Sequence, residues 1–182
     1  MERNRVRIIG GAWRSRVIHF PARPGLRPTP DRVRETLFNW LGQDLRGKRC
    51  LDLFAGSGAL GFEAASRGAA QVVMVERDAQ VCRALEANAR LLDARTVEVV
   101  RADGLEFAAG GDARHDVVFL DPPFDADVLP RLLQLLPPRL ARAALVYIES
   151  PVTLRPETGW TISRNGRAGH VNYHLLQWNP DE

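Results

Sequence analysis

From residue 49 onward, apolar positions cluster in short continuous runs separated by helical stripes. CLDLFA (50–55), VVMVE (72–76), VEVV (97–100), DVVFL (116–120) and ALVYIE (144–149) read as buried strands. Segments 58–67, 78–92, a short one near 104–109, and 125–136 carry helical spacing between them. Continuous apolar strands alternating with helices predict a parallel sheet covered on both faces. The tail, GWTISRNGRAGHVNYHLLQW (159–178), has two strand-like runs around NGRAG, an antiparallel hairpin closing the sheet edge. Ahead of this rhythm, RVRIIGGAWRSRVIHF (5–20) predicts two strands around Gly10 and Gly11, with Val6, Ile8, Trp13 and Val17 as apolar contacts. PARPGLRPTPD (21–31), with four prolines, is an extended, semi-rigid connector. In DRVRETLFNWLG (31–42), Val33, Leu37, Trp40 and Leu41 form a helical stripe. Thr29 or Asp31 can cap that helix and Gly42 can end it, while Arg32 and Arg34 lie off the stripe.

Composition narrows the class. A length of 182 residues suits one domain with a full core and a small appendage. No run approaches the roughly 18 uncharged apolar residues of a membrane helix, and the charged N-terminus lacks the apolar centre of a signal peptide. A cytoplasmic protein without membrane contact is expected. Cys50 and Cys82 sit in apolar patterns and read as buried side chains; neither a disulfide framework nor a metal site is expected. Charge is uneven. Residues 1–49 hold twelve basic against four acidic residues, net +8, whereas 50–182 hold thirteen against eighteen, net −5. All 25 basic residues but Lys48 are arginine, which a biased composition would also produce, so the location of the charge matters more than the residue type. A basic segment ahead of an acidic domain suggests a polyanionic partner.

The chemistry concentrates at predicted strand ends. FAGSGALG (54–61) follows the first strand of the repeating pattern and opens a helix, and Gly56, Gly58 and Gly61 fit G-x-G-x-x-G. Such a turn lets backbone approach a ligand at a helix N-terminus. The next strand ends at Glu76, placed to accept ribose hydroxyls, and the one after it leads into Ala102-Asp103-Gly104. With Asp52, these acids would line one rim and hold a nucleoside-containing ligand. The pattern fits a nicotinamide dinucleotide as well as S-adenosylmethionine. The following strand discriminates, because it ends in Asp121-Pro122-Pro123-Phe124 and not in a proton-transferring His or Lys. Prolines carry no N–H, so this segment offers carbonyl and carboxylate acceptors beside a flat ring. It suits a planar group bearing an exocyclic amine.

LDLFAGSGALG resembles motif I of class I S-adenosylmethionine-dependent methyltransferases, and DPPF resembles the [N/D]-P-P-aromatic motif of their amino-methylating branch. RIIGGAWRSR, GLRPTPDRVRETLFNWL and AGHVNYHLLQ are similar, in order, to segments of the bacterial RsmD-type 16S rRNA (guanine-N2)-methyltransferases. Pro30 departs from that family, which more often has a small polar residue there. The resemblance covers nearly the whole chain. It implies an α/β fold: a doubly wound, mostly parallel seven-stranded Rossmann-like sheet with an antiparallel last strand and an N-terminal β-hairpin extension. Residues 1–30 would be a basic RNA-contacting extension and 31–182 the methyltransferase domain. It further implies that Gly56 and Gly58 approach the methionine portion of the cofactor near Asp52, that Glu76 holds the ribose, and that Asp103 meets the adenine amine beside Ala102 or Gly104. Phe54, Ala55, Ser57, Arg77 and Thr29 complete the expected cofactor set. Asp121 and the Pro122 carbonyl would receive the guanine amine, Pro123 would stiffen the ledge, and Phe124 would stack on the base. Arg5, Arg7, Arg14, Arg16 and Arg32 would contact RNA.

The implied reaction is in-line methyl transfer to guanine N2 of 16S rRNA, within a small subunit or assembly intermediate, by a monomer, with S-adenosylhomocysteine as product. Adenine-N6 and protein-glutamine methyltransferases use related ledges and stay open as alternatives. An NAD-dependent oxidoreductase and a non-catalytic RNA-binding module explain fewer of these residues.

Overall fold

The computed structural model describes residues 3–122, 128–155 and 157–179. A two-stranded hairpin comes first, β1 (Arg3–Arg7) and β2 (Val17–Pro21), then α1 (Asp31–Trp40). The repeating part follows as β3 (Arg49–Asp52), α2 (Ala59–Ser66), β4 (Gln71–Glu76), α3 (Ala79–Leu91), β5 (Val97–Arg101), α4 (Gly104–Ala109), β6 (His115–Leu120) and α5 (Val128–Leu135). β7 (Leu140–Ser150), β8 (Trp160–Ala168) and β9 (Val171–Trp178) complete the chain. The main sheet runs in the order β5-β4-β3-β6-β7-β9-β8. The first five of these strands are mutually parallel, and β9 is antiparallel to both β7 and β8. This is the expected doubly wound seven-stranded sheet with an antiparallel last strand.

Strand alternation sends side chains to two cores. Cys50, Val72, Met74, Val117, Phe119 and Tyr147 pack on the face that also receives α1, α2, α3 and the hairpin. Leu51, Val73, Val75, Val118, Leu120, Val146 and Ile148 pack on the other, against α4, α5 and β8. Both faces are covered, so the parallel strands are apolar at nearly every position.

The hairpin is built into the first core. Val6, Ile8, Ile18 and Phe20 belong to it. Every residue of α2 is buried, including Glu63 and Ser66, because the hairpin turn lies over the helix's outer side. Glu63 accepts from the backbone N–H groups of Ile9 (2.9 Å) and Gly10 (2.8 Å). The Ser66 hydroxyl donates to Gly10 O (2.6 Å) and accepts from Trp13 N (2.9 Å). A Cβ on Gly11 would stand 2.0 Å from Ser66 O, so this approach requires glycine. Arg34, 1% exposed, joins four segments: it donates to Thr29 O (3.0 Å), Arg7 O (3.0 Å), Glu63 (3.1 Å) and Asp31.

Three local expectations are corrected, and one residue off the predicted stripe is nevertheless buried. Val17 is exposed, and Ile18 and Phe20 face the core, because the β1–β2 register puts Val6 opposite Ile18. Arg34 is buried although it lies off the apolar stripe, since Glu63 and Asp31 neutralise it. Pro30 occupies the N-cap of α1, and neither Thr29 nor Asp31 caps it by a side chain. The final hairpin turns at Gly169 and His170, with NGRA continuing β8. His170 is therefore an exposed turn residue, whereas His174 is buried in β9.

Candidate active site

The chain builds β3, β4 and β5 outward on one side, then returns to β6 and β7 on the other. The order therefore reverses between β3 and β6. Beyond the carboxyl ends of these strands lies a crevice of the kind where open α/β sheets bind ligands.

The glycine turn lies there. Gly56 (φ +49°) and Gly58 (φ +80°) adopt left-handed backbone that favours glycine. Gly58 is the N-cap of α2, and Gly61 lets the helix pack on β4, since a Cβ there would meet Met74 Cε at 2.4 Å. Gly104 serves a similar purpose across the crevice: a Cβ would lie 2.7 Å from both Leu53 O and the Phe54 ring. Ala55 and Ser57 are buried in the turn and Phe54 is half-buried.

Acids surround this turn, and strand parity puts four on one face. Asp52 pairs with Phe119 in the sheet register, and Leu120 with Ile148, which brings Asp121 beside Glu149. Asp52, Asp121 and Glu149 therefore lie on the side of Phe119 and Tyr147. Glu76, with the parity of Val72 and Met74, joins that face. Asp52 is 2% exposed, and burial pushes its carboxyl up to about 7. Hydrogen bonds from the Phe54 and Gly61 backbone oppose that shift, and Glu76 and Glu149 add to it. Burial likewise holds Asp121 well above the usual carboxylate range, with Glu149 and then Asp52 raising it further. Glu149 is also raised by burial, despite accepting hydrogen bonds from Thr29 Oγ1 (2.7 Å) and Tyr147 OH (3.0 Å). Close carboxyls of this kind favour a shared proton or a bound cation.

The remaining predicted residues fall into place separately. Glu76 is half-buried and accepts from Gly56 N (3.1 Å) and Asp78 N (2.8 Å), which ties β4 to the glycine turn. Asp103 caps α4, its Oδ1 accepting from Leu105 N (2.9 Å) and Glu106 N (3.2 Å). Ala102 donates its N–H to Glu76 O (3.1 Å), and Arg77 is exposed on the same rim. Pro122 is buried; Pro123 and Phe124 lie outside the described residues. The five arginines do not share one environment. Arg7 faces Asp31 at 3.8 Å, Arg16 donates to Leu91 O (3.2 Å), and Arg5, Arg14 and Arg32 are exposed.

Glu149 and Tyr147 belong to the site but were not among the sequence candidates. The signal was present: ALVYIE ends in an acid, as the neighbouring strands do. Its recruitment depends on β7 lying directly beside β6.

Comparison with known proteins identifies the family. The family model described as Conserved hypothetical protein 95 matches residues 6–177. Ribosomal RNA small subunit methyltransferase D of Escherichia coli strain K12 is 46% identical over 177 residues, covering 94% of this chain and 89% of the relative. The protein of that name from Haemophilus influenzae is 41% identical, covering 94% of this chain and 93% of its own. A solved structure, the putative methyltransferase yhhF from Escherichia coli, superimposes with a TM-score of 0.88 at 44% identity, covering 97% of this chain and 99% of that one. A glycine turn and acid rim on a doubly wound sheet, matched along almost the full length by proteins so named, place this chain in the ribosomal RNA small subunit methyltransferase D family.

Proposed function

We propose that this chain transfers a methyl group from S-adenosylmethionine to the exocyclic N2 of a guanine in 16S rRNA, within a small ribosomal subunit or assembly intermediate, and acts as a monomer. The observation that carries this reading is the convergence of Asp52, Asp121 and Glu149 on one face beside the Gly56–Gly58 turn. The names of the relatives support the RNA substrate.

The residues fit the cofactor. The turn brings bare backbone to the crevice, and the buried acids suit a ligand bearing positive charge. When bound, S-adenosylmethionine supplies a methyl group already activated on a sulfonium. Glu76 would hold the ribose hydroxyls on carboxylate lone pairs left over from its bonds to Gly56 and Asp78. Asp103 caps α4 through Oδ1, and its other oxygen would be free to accept from the adenine amine. Asp52 acts from below, holding the Phe54 and Gly61 N–H groups so that the turn keeps its shape.

Asp121 and the Pro122 carbonyl accept the two hydrogens of the guanine amine, which turns its lone pair outward. They also stabilise positive charge developing on nitrogen. Positive charge brought beside the three acids favours their ionised forms, so Asp121 becomes an acceptor when the site is loaded. Phe124 provides the stacking surface for a base drawn out of its helix.

Asp121→Ala is expected to keep S-adenosylmethionine binding and to lose roughly 10²-fold or more of transfer to hypomethylated small subunits. Unchanged transfer would overturn the reading. Mapping the label separates guanine N2 from adenine N6 and from a glutamine side chain.

A further inference from the structure

We propose that Glu149 is a positioning residue that makes Asp121 the proton carrier of methyl transfer: the pair keeps one proton in the empty site, releases it when positive charge enters, and regains one from the guanine amine. The inference rests on the methyl-transfer reading above and adds the path of the proton, which that reading leaves unassigned.

The register of β6 and β7 sets the pair. Leu120 lies opposite Ile148, so the next residues, Asp121 and Glu149, stand side by side at the carboxyl ends of their strands. Asp52 closes the group from β3 through its register with Phe119. Glu76 at the end of β4 is the fourth acid on this face, and Tyr173 of β9 lies opposite Glu149. Among the described residues no Arg, Lys or His forms an ion pair with Asp52, Asp121 or Glu149. Arg34 reaches the group only through the Thr29 carbonyl, and its charge is matched by Glu63 and Asp31. Close carboxyls withdrawn from water without a cation cannot all ionise at low cost.

Two hydroxyls decide where the proton sits. Thr29 Oγ1 (2.7 Å) and Tyr147 OH (3.0 Å) both donate to Glu149 Oε1. Burial and the Glu149 charge keep the Tyr147 phenol protonated, so it stays a donor. Thr29 is fixed in turn by Arg34 Nε, which donates to its carbonyl (3.0 Å). Two donors on one oxygen favour the ionised form of Glu149 and hold its carboxylate in place beside Asp121. Asp121 is half-buried, and among the described residues no donor reaches it. The one proton of the pair therefore rests on Asp121.

Beside a sulfonium, Asp121 gives that proton to solvent, because a nearby positive charge favours the carboxylate. Asp121 and the Pro122 carbonyl then accept from the guanine amine. As the methyl carbon leaves sulfur and bonds to N2, the sulfur becomes neutral and the positive charge moves to nitrogen. One N2–H bond breaks, its electron pair stays on nitrogen, and Asp121 takes the proton. Glu149 is still ionised beside it and the sulfonium charge has gone, so Asp121 keeps the proton. One proton thus leaves on binding and none on transfer. With no charge at position 149, Asp121 would be ionised in the empty site as well, and no proton would leave on binding.

Isothermal titration calorimetry at about pH 6.5, in buffers of different ionisation enthalpy, counts the protons released on binding. At that pH the α-amino groups of S-adenosylmethionine and S-adenosylhomocysteine are both protonated, so the sulfonium charge separates the two ligands. S-adenosylmethionine is expected to release roughly one proton per site more than S-adenosylhomocysteine. In Glu149→Gln and in Asp121→Asn that excess should fall below about 0.2, whereas Asp52→Asn should keep it. Equal release for the two ligands in the wild type would overturn the inference, whatever the variants do. An excess that survives in Glu149→Gln would remove Glu149 from the role, and one lost only in Asp52→Asn would assign the proton to Asp52. If Glu149→Gln fails to fold or to bind, Asp121→Asn and the wild type still decide whether Asp121 carries the proton. Methyl transfer to guanine N2 without the excess removes the proton path and leaves the proposed function standing. The excess with the label mapped to adenine or to a glutamine side chain keeps the proton path and removes the guanine.

Discussion

Asp52 has a carboxyl pushed up to about 7, chiefly by burial, at the end of a strand where it follows the buried, apolar Cys50 and Leu51. Its folded pKa lies above the ordinary value of 3.8, so the folded chain holds that proton more tightly than the unfolded chain does. The resulting stability is present at acid pH and is lost as pH rises from about 4 through about 7. Asp52→Asn cannot ionise and should escape this loss. The difference in Tm between variant and wild type, measured from pH 5 to pH 8, is expected to shift in favour of the variant as pH rises; a pH-independent difference would reject it. Glu149 is the acid whose neighbours define it, with Thr29 and Tyr147 donating to one oxygen. Glu149→Gln keeps the shape and removes a charge beside Asp121, so the pH at which Asp121 ionises should fall. The acid limb of the pH–rate profile should move to lower pH, and an unmoved limb would separate the two residues.

At the element scale, α2 explains why the hairpin is part of the fold. An eight-residue helix buried on all sides needs a cover, and its two polar side chains have to find partners inside. Glu63 meets that demand by binding the hairpin backbone on one side and Arg34 and Arg67 on the other. Arg67 also lies 4.6 Å over the Phe38 ring. Glu63→Gln would leave buried guanidinium charge short of a counter-ion, a change that typically costs about 3 to 5 kcal/mol. Urea unfolding of the variant should show a loss of that order, and a loss under about 1 kcal/mol would mean the network is not holding the hairpin. The helices and strands themselves were legible in the sequence because their periods differ and because each strand is bounded by Gly, Pro or charge. The hairpin register was not: Val17 and Ile18 are both strand formers, and only the fixed positions of Ile8 and Asn88 decide which one faces inward.

Over the whole molecule, a basic hairpin and an acidic rim share one core, and the chain is expected to unfold as one unit. Calorimetry should give a single transition with equal calorimetric and van't Hoff enthalpies. A separate early transition would mean that residues 1–30 unfold apart from 31–182. By itself the sequence determined the fold class, the glycine turn and the acid at the end of each strand, because these depend on period and local backbone chemistry within a few residues. It also determined the family, through segments spread over nearly the whole chain. Tertiary structure decided the rest. It placed Glu149 next to Asp121 and buried Arg34. Each of these depends on strand order or on long-range pairing of charges, and residues brought together from distant positions carry no shared local period by which a linear pattern could announce them.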